Sequence, residues 1–573
     1  GWIPASEGPT RIMDRIMAIA DAKNDFPLSS VVVLSDGRQF GGVEPKAVLS
    51  TLAQRQVPVH AALAGAEEEP RDVSVLEVAC PPFAVKGAPV TVRARIKTSL
   101  PKPVAARIEI REGTRSLAAV DRELGRAAEE VVELSFTPDA EGYRQYVLQV
   151  SAVEGEIFPS RNNAAAFVTN VRAERLRVLL LDWRPRWETQ LVMNAFRRMD
   201  WIEFNPIVLL AAEGAELRRG AGDGRWPDSA ATLAAYDLVI LGDVPSQTLT
   251  RPEWKSLSDF VTVQGRTLCL LSPDRLRKDA AMAEWMAALS PIRAREIARP
   301  VAFSLTSAGL TAFPSGAAHA LTGTLAAGLG RKTTPEPAAY AADSQPLIAF
   351  ADDGIPCIAA RLAGKGKVLD VATDQLWRAL NADRLQSHRD LYVQLVAWAI
   401  DGGWCPAETP SAAPVMAVDR RVVKTGDVCQ VWLRAGSPAT VTVTKPDGTV
   451  VSADAVPCMA GGLLRLEGQG LPAGAVRIVA TGSAPVTLQV IDDNPELRRL
   501  AADRPFVQSL ADGTGGTVRS LADMTRLFVD PPHKDRVEKN EYVWRLWDSG
   551  LVLAILVLMI TGEWIWRKLA GLI

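Results

Sequence analysis

Histidine is scarce in this chain, and cysteine is unpatterned. Four histidines occur among 573 residues (His60, His319, His388 and His533), far apart and without metal-ligand spacing. The six cysteines (Cys80, Cys269, Cys357, Cys405, Cys429 and Cys458) contain no Cys-x-x-Cys pair. They supply neither a zinc signature nor a disulfide framework and read as scattered small core residues. Net charge is nearly absent at −2, so no global basic field recruits nucleic acid. Two stretches, "GAGDGRW" (220–226) and "GKGK" (364–367), are glycine-rich, but neither leads into the Lys-Ser/Thr of a phosphate loop. What remains is a globular composition, 48% hydrophobic and 23% charged, on a chain too long for one core, which predicts several domains.

Periodicity divides the chain. Ile12, Ile16 and Ile19 follow the N-cap Thr10 at helical spacing, and Val31 to Leu34 form a continuous β-branched strand. Pro45 opens a second helix, and "VPVHAALAG" (57–65) is a second strand, so the pair implies a right-handed parallel crossover. Two strands do not make a stable α/β domain, so further strands are expected upstream of Gly1. "AEEEPRD" (66–72) is a polar linker. Alternation at 90–98, 105–113, 130–138, 143–153 and 164–171 predicts a β-sandwich, and a second follows at 413–492 with "PDG" as a turn. Between them, apolar strands alternate with helices from 175 to 402, the pattern of a doubly wound open sheet.

The C-terminus carries an uncharged stretch from Ser549 to Gly562, flanked by Trp544, Trp547, Trp564 and Trp566 and closed by Arg567 and Lys568. Extended over its flanks it reaches the roughly 20 residues a bilayer span needs. The other reading is a buried hairpin helix of a soluble domain. Lys534, Arg536, Lys539 and Arg545 precede the span, and by local charge they place the bulk of the chain in the cytoplasm.

Three α/β strands end in acids: Asp36, Asp182 and Asp243. Open α/β sheets bind ligands outside the carboxyl ends of their strands, and Asp at such a position also caps helices and starts turns. Asp36 stands in "SSVVVLSDGRQFGGVEPKAVLSTLAQRQVPVHAALAG", which resembles the C-terminal third of a von Willebrand factor type A domain. In that family a Ser/Thr-Asp-Gly at this strand end completes a metal-ion-dependent adhesion site begun by an upstream Asp-x-Ser-x-Ser loop and a Thr. No Asp-x-Ser-x-Ser occurs in this chain, so only Asp36 carries over. One carboxylate does not hold Mg²⁺. The resemblance therefore implies no cofactor in this chain alone, and Mg²⁺ or another divalent cation only where the upstream ligands are restored.

The middle α/β region is similar to the glutamine amidotransferase-like (class I, flavodoxin-like) domains. "LRVLLLDWRPRWETQLVMNAFRR", "AYDLVILGDVPSQTLTRPEWKSLSDFVTVQGRTLCLL" and "GKGKVLDVATDQLWR" carry the likeness. Amidotransferases need a nucleophilic Cys on a strand-to-helix elbow with a His partner. Here Cys269 lies inside "TLCLL", Ser272-Pro273 occupies the turn, and no His-x-Glu follows the late strand. Ser272 lacks a Gly-x-Ser-x-Gly context. The fold is expected to be kept and the catalysis lost.

The expected fold class is multidomain α/β and β. Residues 1–66 form the C-terminal part of a type A domain, 70–172 an immunoglobulin-like β-sandwich and 175–405 the amidotransferase-like domain. A second β-sandwich (413–492), a helical tail and stalk (493–541) and a transmembrane helix (543–566) follow. This order resembles bacterial membrane-anchored type A domain proteins of the aerotolerance-operon kind, often encoded beside MoxR-type AAA+ ATPases. The resemblance implies a non-enzymatic scaffold in the bacterial inner membrane, with its bulk periplasmic against the local charge count. Its implied partners are other proteins, among them a MoxR-type ATPase and other type A domain proteins, and the lipid bilayer, with no nucleic acid. The alternatives are an amidotransferase-like hydrolase and a small-ligand sensor built on the central α/β domain.

Overall fold

The computed structural model describes residues 10–21, 28–40, 45–156, 162–183, 185–209, 217–292, 295–298, 303–305, 331–334, 344–350, 356–374, 376, 385–401, 415–418, 421–425, 428–434, 440–454, 457–458, 461–467, 473–480, 485–492, 495–520, 523 and 550–571. The chain divides into two compact units. Residues 13–37, 43–64 and 503–573 form the smaller, and residues 1–12, 38–42 and 65–502 form the larger.

The smaller unit is built on β-branched residues, which lose little side-chain freedom in an extended backbone. Strand Val31–Ser35 pairs in parallel with Val59–Leu63, and helix Pro45–Gln54 makes the crossover. A third strand, Val518–Ser520, joins the other edge of Val59–Leu63, again in parallel, with Ala61 opposite Val518. Helix Arg504–Thr514 leads into it and buries Val507, Leu510 and Ala511. This helix ends on Gly515 at φ 76°, a left-handed cap that suits glycine. Gly516 then runs so close to Val59 that a Cβ would lie 1.8 Å from the Val59 carbonyl oxygen.

Residues 504–520 thus supply a helix and a short sheet strand to this unit, where the sequence pattern reads a helical tail. The N–H of Val59 donates to Thr514 Oγ1 at 2.8 Å across 455 residues of chain. A three-residue strand has no readable periodicity, and a partner that far away leaves no local signal. The small α/β domain accordingly does not close at residue 66, and its third strand comes from downstream.

In the larger unit the outbound and return segments lie side by side. The Ala502 N–H donates to the Ala66 carbonyl at 2.8 Å, and Asn162 Nδ2 and Ser74 Oγ donate to the carbonyls of Leu497 and Arg498 at 3.0 and 3.1 Å. The first β-domain has two sheets. Strands Val73–Ala79, Val90–Thr98 and Glu129–Phe136 form one, and Phe83–Val85, Ala164–Arg172, Gly142–Val150, Val104–Glu112 and Arg115–Leu124 form the other, each in spatial order. Their inward residues, including Val92, Ile96, Ile108 and Leu148, share one core. Periodicity located five of these eight strands. It missed Val73–Ala79, the three-residue Phe83–Val85, and Arg115–Leu124, whose residues are mostly exposed along a sheet edge.

The α/β domain has an eight-stranded sheet. Its five parallel strands lie in the order Ile202–Leu209, Leu176–Trp183, Leu238–Leu241, Thr267–Leu271 and Gly366–Val371, which is 2-1-3-4-5 in chain order. Pro356–Ala363, Ser344–Phe350 and Phe303–Leu305 extend it antiparallel. Alternate residues of the first parallel strand face two cores, Val178 and Leu180 on one side and Leu179 and Leu181 on the other. That two-sided burial explains its unbroken apolar run. The expected Gly-Lys-Gly-Lys turn is present between Pro356–Ala363 and Gly366–Val371. Its glycines serve packing, since a Cβ on Gly364 would lie 2.3 Å from the Thr262 carbonyl oxygen. The second β-domain, from 415 to 492, has a four-stranded and a five-stranded sheet around Val431, Val441, Ile478 and Leu488.

The C-terminal helix, Gly550–Leu569, is 20 residues long with mean hydropathy 1.6 and no buried residue. It is long and apolar enough to cross a membrane, consistent with an anchor. It runs three residues past the expected end at 566, and 543–549 lie outside the described residues. Arg567 Nη2 meets Glu563 at 2.7 Å, and Lys568 Nζ lies 5.1 Å from the Trp564 ring centroid. Both contacts hold charge at the helix end, where snorkelling is cheap.

Candidate functional site

The three acid-terminated strands fall at two separate places. Asp36 ends the edge strand of the smaller unit, and its side chain is exposed. Ser35 Oγ donates to Asp36 Oδ1 at 3.3 Å and accepts the Gly37 N–H at 3.1 Å, a local turn. The Asp503 N–H donates to the Asp36 carbonyl at 2.7 Å, and the Asp503 carboxylate caps the next helix through the Phe506 N–H at 3.0 Å. Gly37 has φ 81°, and a Cβ there would lie 2.5 Å from Val507 Cγ2. The helix at 504–514 therefore seats the Ser-Asp-Gly turn. Among the described residues no three His, Cys, Asp or Glu side chains gather to hold a metal ion. Asp36 alone does not fit one.

Asp182 and Asp243 are brought together in the α/β domain. They lie at the carboxyl ends of chain-order strands 1 and 3, where the strand order reverses. Asp182 is fully buried. Its Oδ1 accepts the N–H groups of Trp183 and Asp243, both at 2.8 Å. Its Oδ2 accepts Arg186 Nη2 at 2.9 Å, Arg186 Nε at 3.1 Å and the Thr189 hydroxyl. Arg186 Nη2 also reaches the Leu271 carbonyl at 2.9 Å, so one ion pair ties the ends of three strands. Gly242 is obligatory here, because a Cβ would lie 2.1 Å from Asp182 Oδ1.

Asp243 is more open. Its Oδ1 accepts the Arg275 N–H at 2.7 Å, and burial pushes its carboxyl above the usual range. The Arg275 guanidinium carbon lies 5.8 Å from the Trp183 ring centroid. Two more buried acids flank the sheet. Asp370 is held by both oxygens to Arg277 Nη2 at 2.6 Å, and Glu188 Oε1 accepts the Tyr392 hydroxyl at 2.6 Å. The sequence pattern singles out Asp182 and Asp243 but not Arg186, Thr189, Arg275 or Arg277. The spacing Asp182, Arg186, Thr189 is the one available signal, and its meaning depends on the turn between strand and helix.

The two nucleophile candidates part company. Cys269 is buried inside its strand, and desolvation drives its thiol far above the ordinary range, away from the reactive thiolate. Ser272 stands where the strand ends, at φ 50°, and the short helix Asp274–Lys278 begins two residues later. Its N–H donates to the Val371 carbonyl at 2.7 Å. A non-glycine residue in that region carries backbone strain. The His388 side chain lies outside the described residues, as do His319 and His533. Chemically, Asp182 has its lone pairs occupied by five donors and acts as a lock, whereas Asp243 and Arg275 are partly exposed at the carboxyl end of the sheet and Ser272 is buried there.

No protein-family model matches this chain. No curated protein matches it either. Among solved structures it is similar to the CARDB domain of PF1109 from Pyrococcus furiosus, at 21% identity and TM-score 0.17, over 19% of this chain and all of that one. It is also similar to red sea bream transglutaminase, at 18% identity and TM-score 0.14, over 18% of this chain and 15% of that one. A third likeness is to the exo-β-1,4-mannosidase Op5Man5 from Opitutaceae bacterium strain TAV5, at 14% identity and TM-score 0.24, over 39% and 35% of the two chains. Each covers a minor part of this chain, and none defines its fold as a whole.

Proposed function

We propose that the protein is a non-enzymatic, membrane-anchored scaffold of a bacterial envelope. The exposed helix Gly550–Leu569, which follows the last strand of the small split α/β unit in the chain, carries this reading. Only about 30 residues separate Ser520 from Gly550, at most roughly 100 Å when fully extended. In this reading the small unit is a type A domain completed by 503–520. The 66–502 segment, with two immunoglobulin-like sandwiches and a flavodoxin-like domain, is an insertion in its chain. The internal bonding of Asp182 supports a structural role for the flavodoxin-like domain. A MoxR-type AAA+ ATPase and other type A domain proteins are the partners this reading names, with the bulk periplasmic.

Membrane extraction and binding test it together. The full chain stays with membranes through an alkaline carbonate wash, and a chain ended after Ser520 is released. Full-length protein in detergent retains a MoxR-type ATPase, and a cysteine introduced near Gly571 is labelled from the cytoplasmic side. Release of the intact chain, or no retention of the ATPase, overturns the scaffold.

The strained turn at Ser272 favours a second reading, a hydrolase or ligand sensor of amidotransferase type. Hydrolysis of glutamine or of an ester reporter, lost in Ser272→Ala and kept in Cys269→Ala, would establish it.

A further inference from the structure

The domains of the larger unit meet in two chemically different ways. The first β-domain and the α/β domain share an apolar core. Phe83 and Val85 pack with Leu176, Met199 and Trp201, and the Phe83 and Trp201 rings are 5.3 Å apart. Among the described residues, the core of the second β-domain is made of its own side chains. Where that domain meets the other two, charged side chains gather among the described residues. Asp401 ends helix Leu385–Asp401, and its Oδ2 accepts Asn170 Nδ2 of the first β-domain at 2.9 Å. The half-buried Tyr143, also of the first β-domain, has its hydroxyl buried beside Asp401 and Asn170. Lys367 of the α/β sheet donates to the Ala399 carbonyl at 3.1 Å and lies 5.7 Å from the Trp398 ring centroid, within reach of the charges of Asp401 and Arg421. Arg421 comes from the second β-domain. Its guanidinium carbon is 5.6 Å from the Tyr143 ring centroid, and its carbonyl accepts the Gln489 N–H at 2.7 Å.

We propose that Asp401 is the keystone of a polar latch, in which one carboxylate balanced against Lys367 and Arg421 holds the second β-domain in a fixed orientation, and that loss of its charge frees that domain without unfolding it. An apolar core such as Phe83–Trp201 opens only at the cost of exposing carbon, whereas interfaces that lack one permit domain motion. Among the described residues Asp401 is the anion of this cluster, and Lys367 and Arg421 are its cations. Without it, Lys367 and Arg421 repel each other across a poorly solvated junction. Burial already presses Lys367 down to about 8. Removing the Lys367 charge leaves Asp401 with Arg421, the attractive pair that joins the α/β domain to the second β-domain. Loss of charge at Asp401 therefore releases the domain and loss of charge at Lys367 does not, a difference that a merely space-filling contact would not produce.

The test uses full-length protein in detergent micelles. Spin labels on unnatural ketone-bearing residues replace the exposed Val131 of the first β-domain and the exposed Val450 of the second. Pulsed electron–electron resonance reads the distance distribution between them. The parent protein gives a single narrow distribution. Asp401→Asn broadens it several-fold with the circular dichroism spectrum unchanged, and Lys367→Met leaves it as narrow as the parent. Arg421→Met, made in a different domain, also broadens it and decides the question if Asp401→Asn fails to fold. A narrow distribution in both Asp401→Asn and Arg421→Met overturns the latch. So does a Lys367→Met distribution as broad as that of Asp401→Asn, which would mean that packing rather than charge balance holds the domain.

Discussion

Two acids at the ends of two parallel strands, Asp36 and Asp182, have the same look in sequence and opposite fates in the fold. Each follows a run of valine and leucine at a point where ligands bind in open α/β sheets. Asp36 ends an edge strand, is exposed, and shapes a turn with Ser35 and Gly37. Asp182 ends an interior strand, is fully buried, and accepts hydrogen bonds from Trp183, Arg186, Thr189 and Asp243. The difference comes from neighbours on the sheet. An interior strand end is walled by loops from both sides, so its carboxylate must be paired, and pairing makes it a fastener. An edge strand end keeps one side open to water.

Four measurements break or sharpen this contrast. Asp182→Ala carries the largest effect, because it leaves Arg186 buried without its anion. A loss of about 3–5 kcal/mol is expected in urea unfolding followed by tryptophan fluorescence. An unchanged midpoint would remove the lock. Gly37→Ala comes next. It forces alanine to positive φ and drives a methyl group into Val507, for a loss of about 2–3 kcal/mol in the smaller unit, read by hydrogen exchange at 59–63 and 504–514.

A third acid, Asp72 of the larger unit, is intermediate: it is buried, yet its Oδ2 accepts Asn162 Nδ2 at 2.6 Å while Oδ1 has no partner. Burial pushes its carboxyl up to about 6, so the folded state binds the proton more tightly than the unfolded chain does. Its contribution to stability therefore rises as pH falls from about 6 towards the unfolded value near 4, by an amount on the order of 2 kcal/mol. Asp72→Asn removes that rise in melts run across the window, and a parent protein that shows no such rise contradicts the assignment. Asp36→Ala is the mildest change. It should shift stability by less than about 0.5 kcal/mol, and a loss as large as that of Asp182→Ala would erase the contrast.

Legibility followed the reach of each interaction. The alternation of Val90–Thr98 and the unbroken apolar run of Leu176–Trp183 report their own burial, because neighbouring residues alternate between faces or are covered on both. The strand end at Asp243 was legible for the same reason. Arg275 was not, because its approach to Trp183 depends on a turn that places a short helix beside another strand's end. Ser272 was visible as the residue of a turn, but its positive φ is set by the tertiary pairing of Thr267–Leu271 with Gly366–Val371.

The sequence by itself determined the list of parts: apolar strands ending in acids, two alternating β-rich stretches and a terminal helix able to span a bilayer. Hydrophobic pattern and length are properties of each segment alone, and local sterics and burial act on them directly. Only the tertiary structure decided how the parts close. It put Val518–Ser520 beside Val59–Leu63, turned the middle of the chain into an insertion, and made one strand-end acid a lock and another a turn. Those outcomes rest on contacts between residues far apart in the chain, whose free energy appears only when loop closure has brought them together.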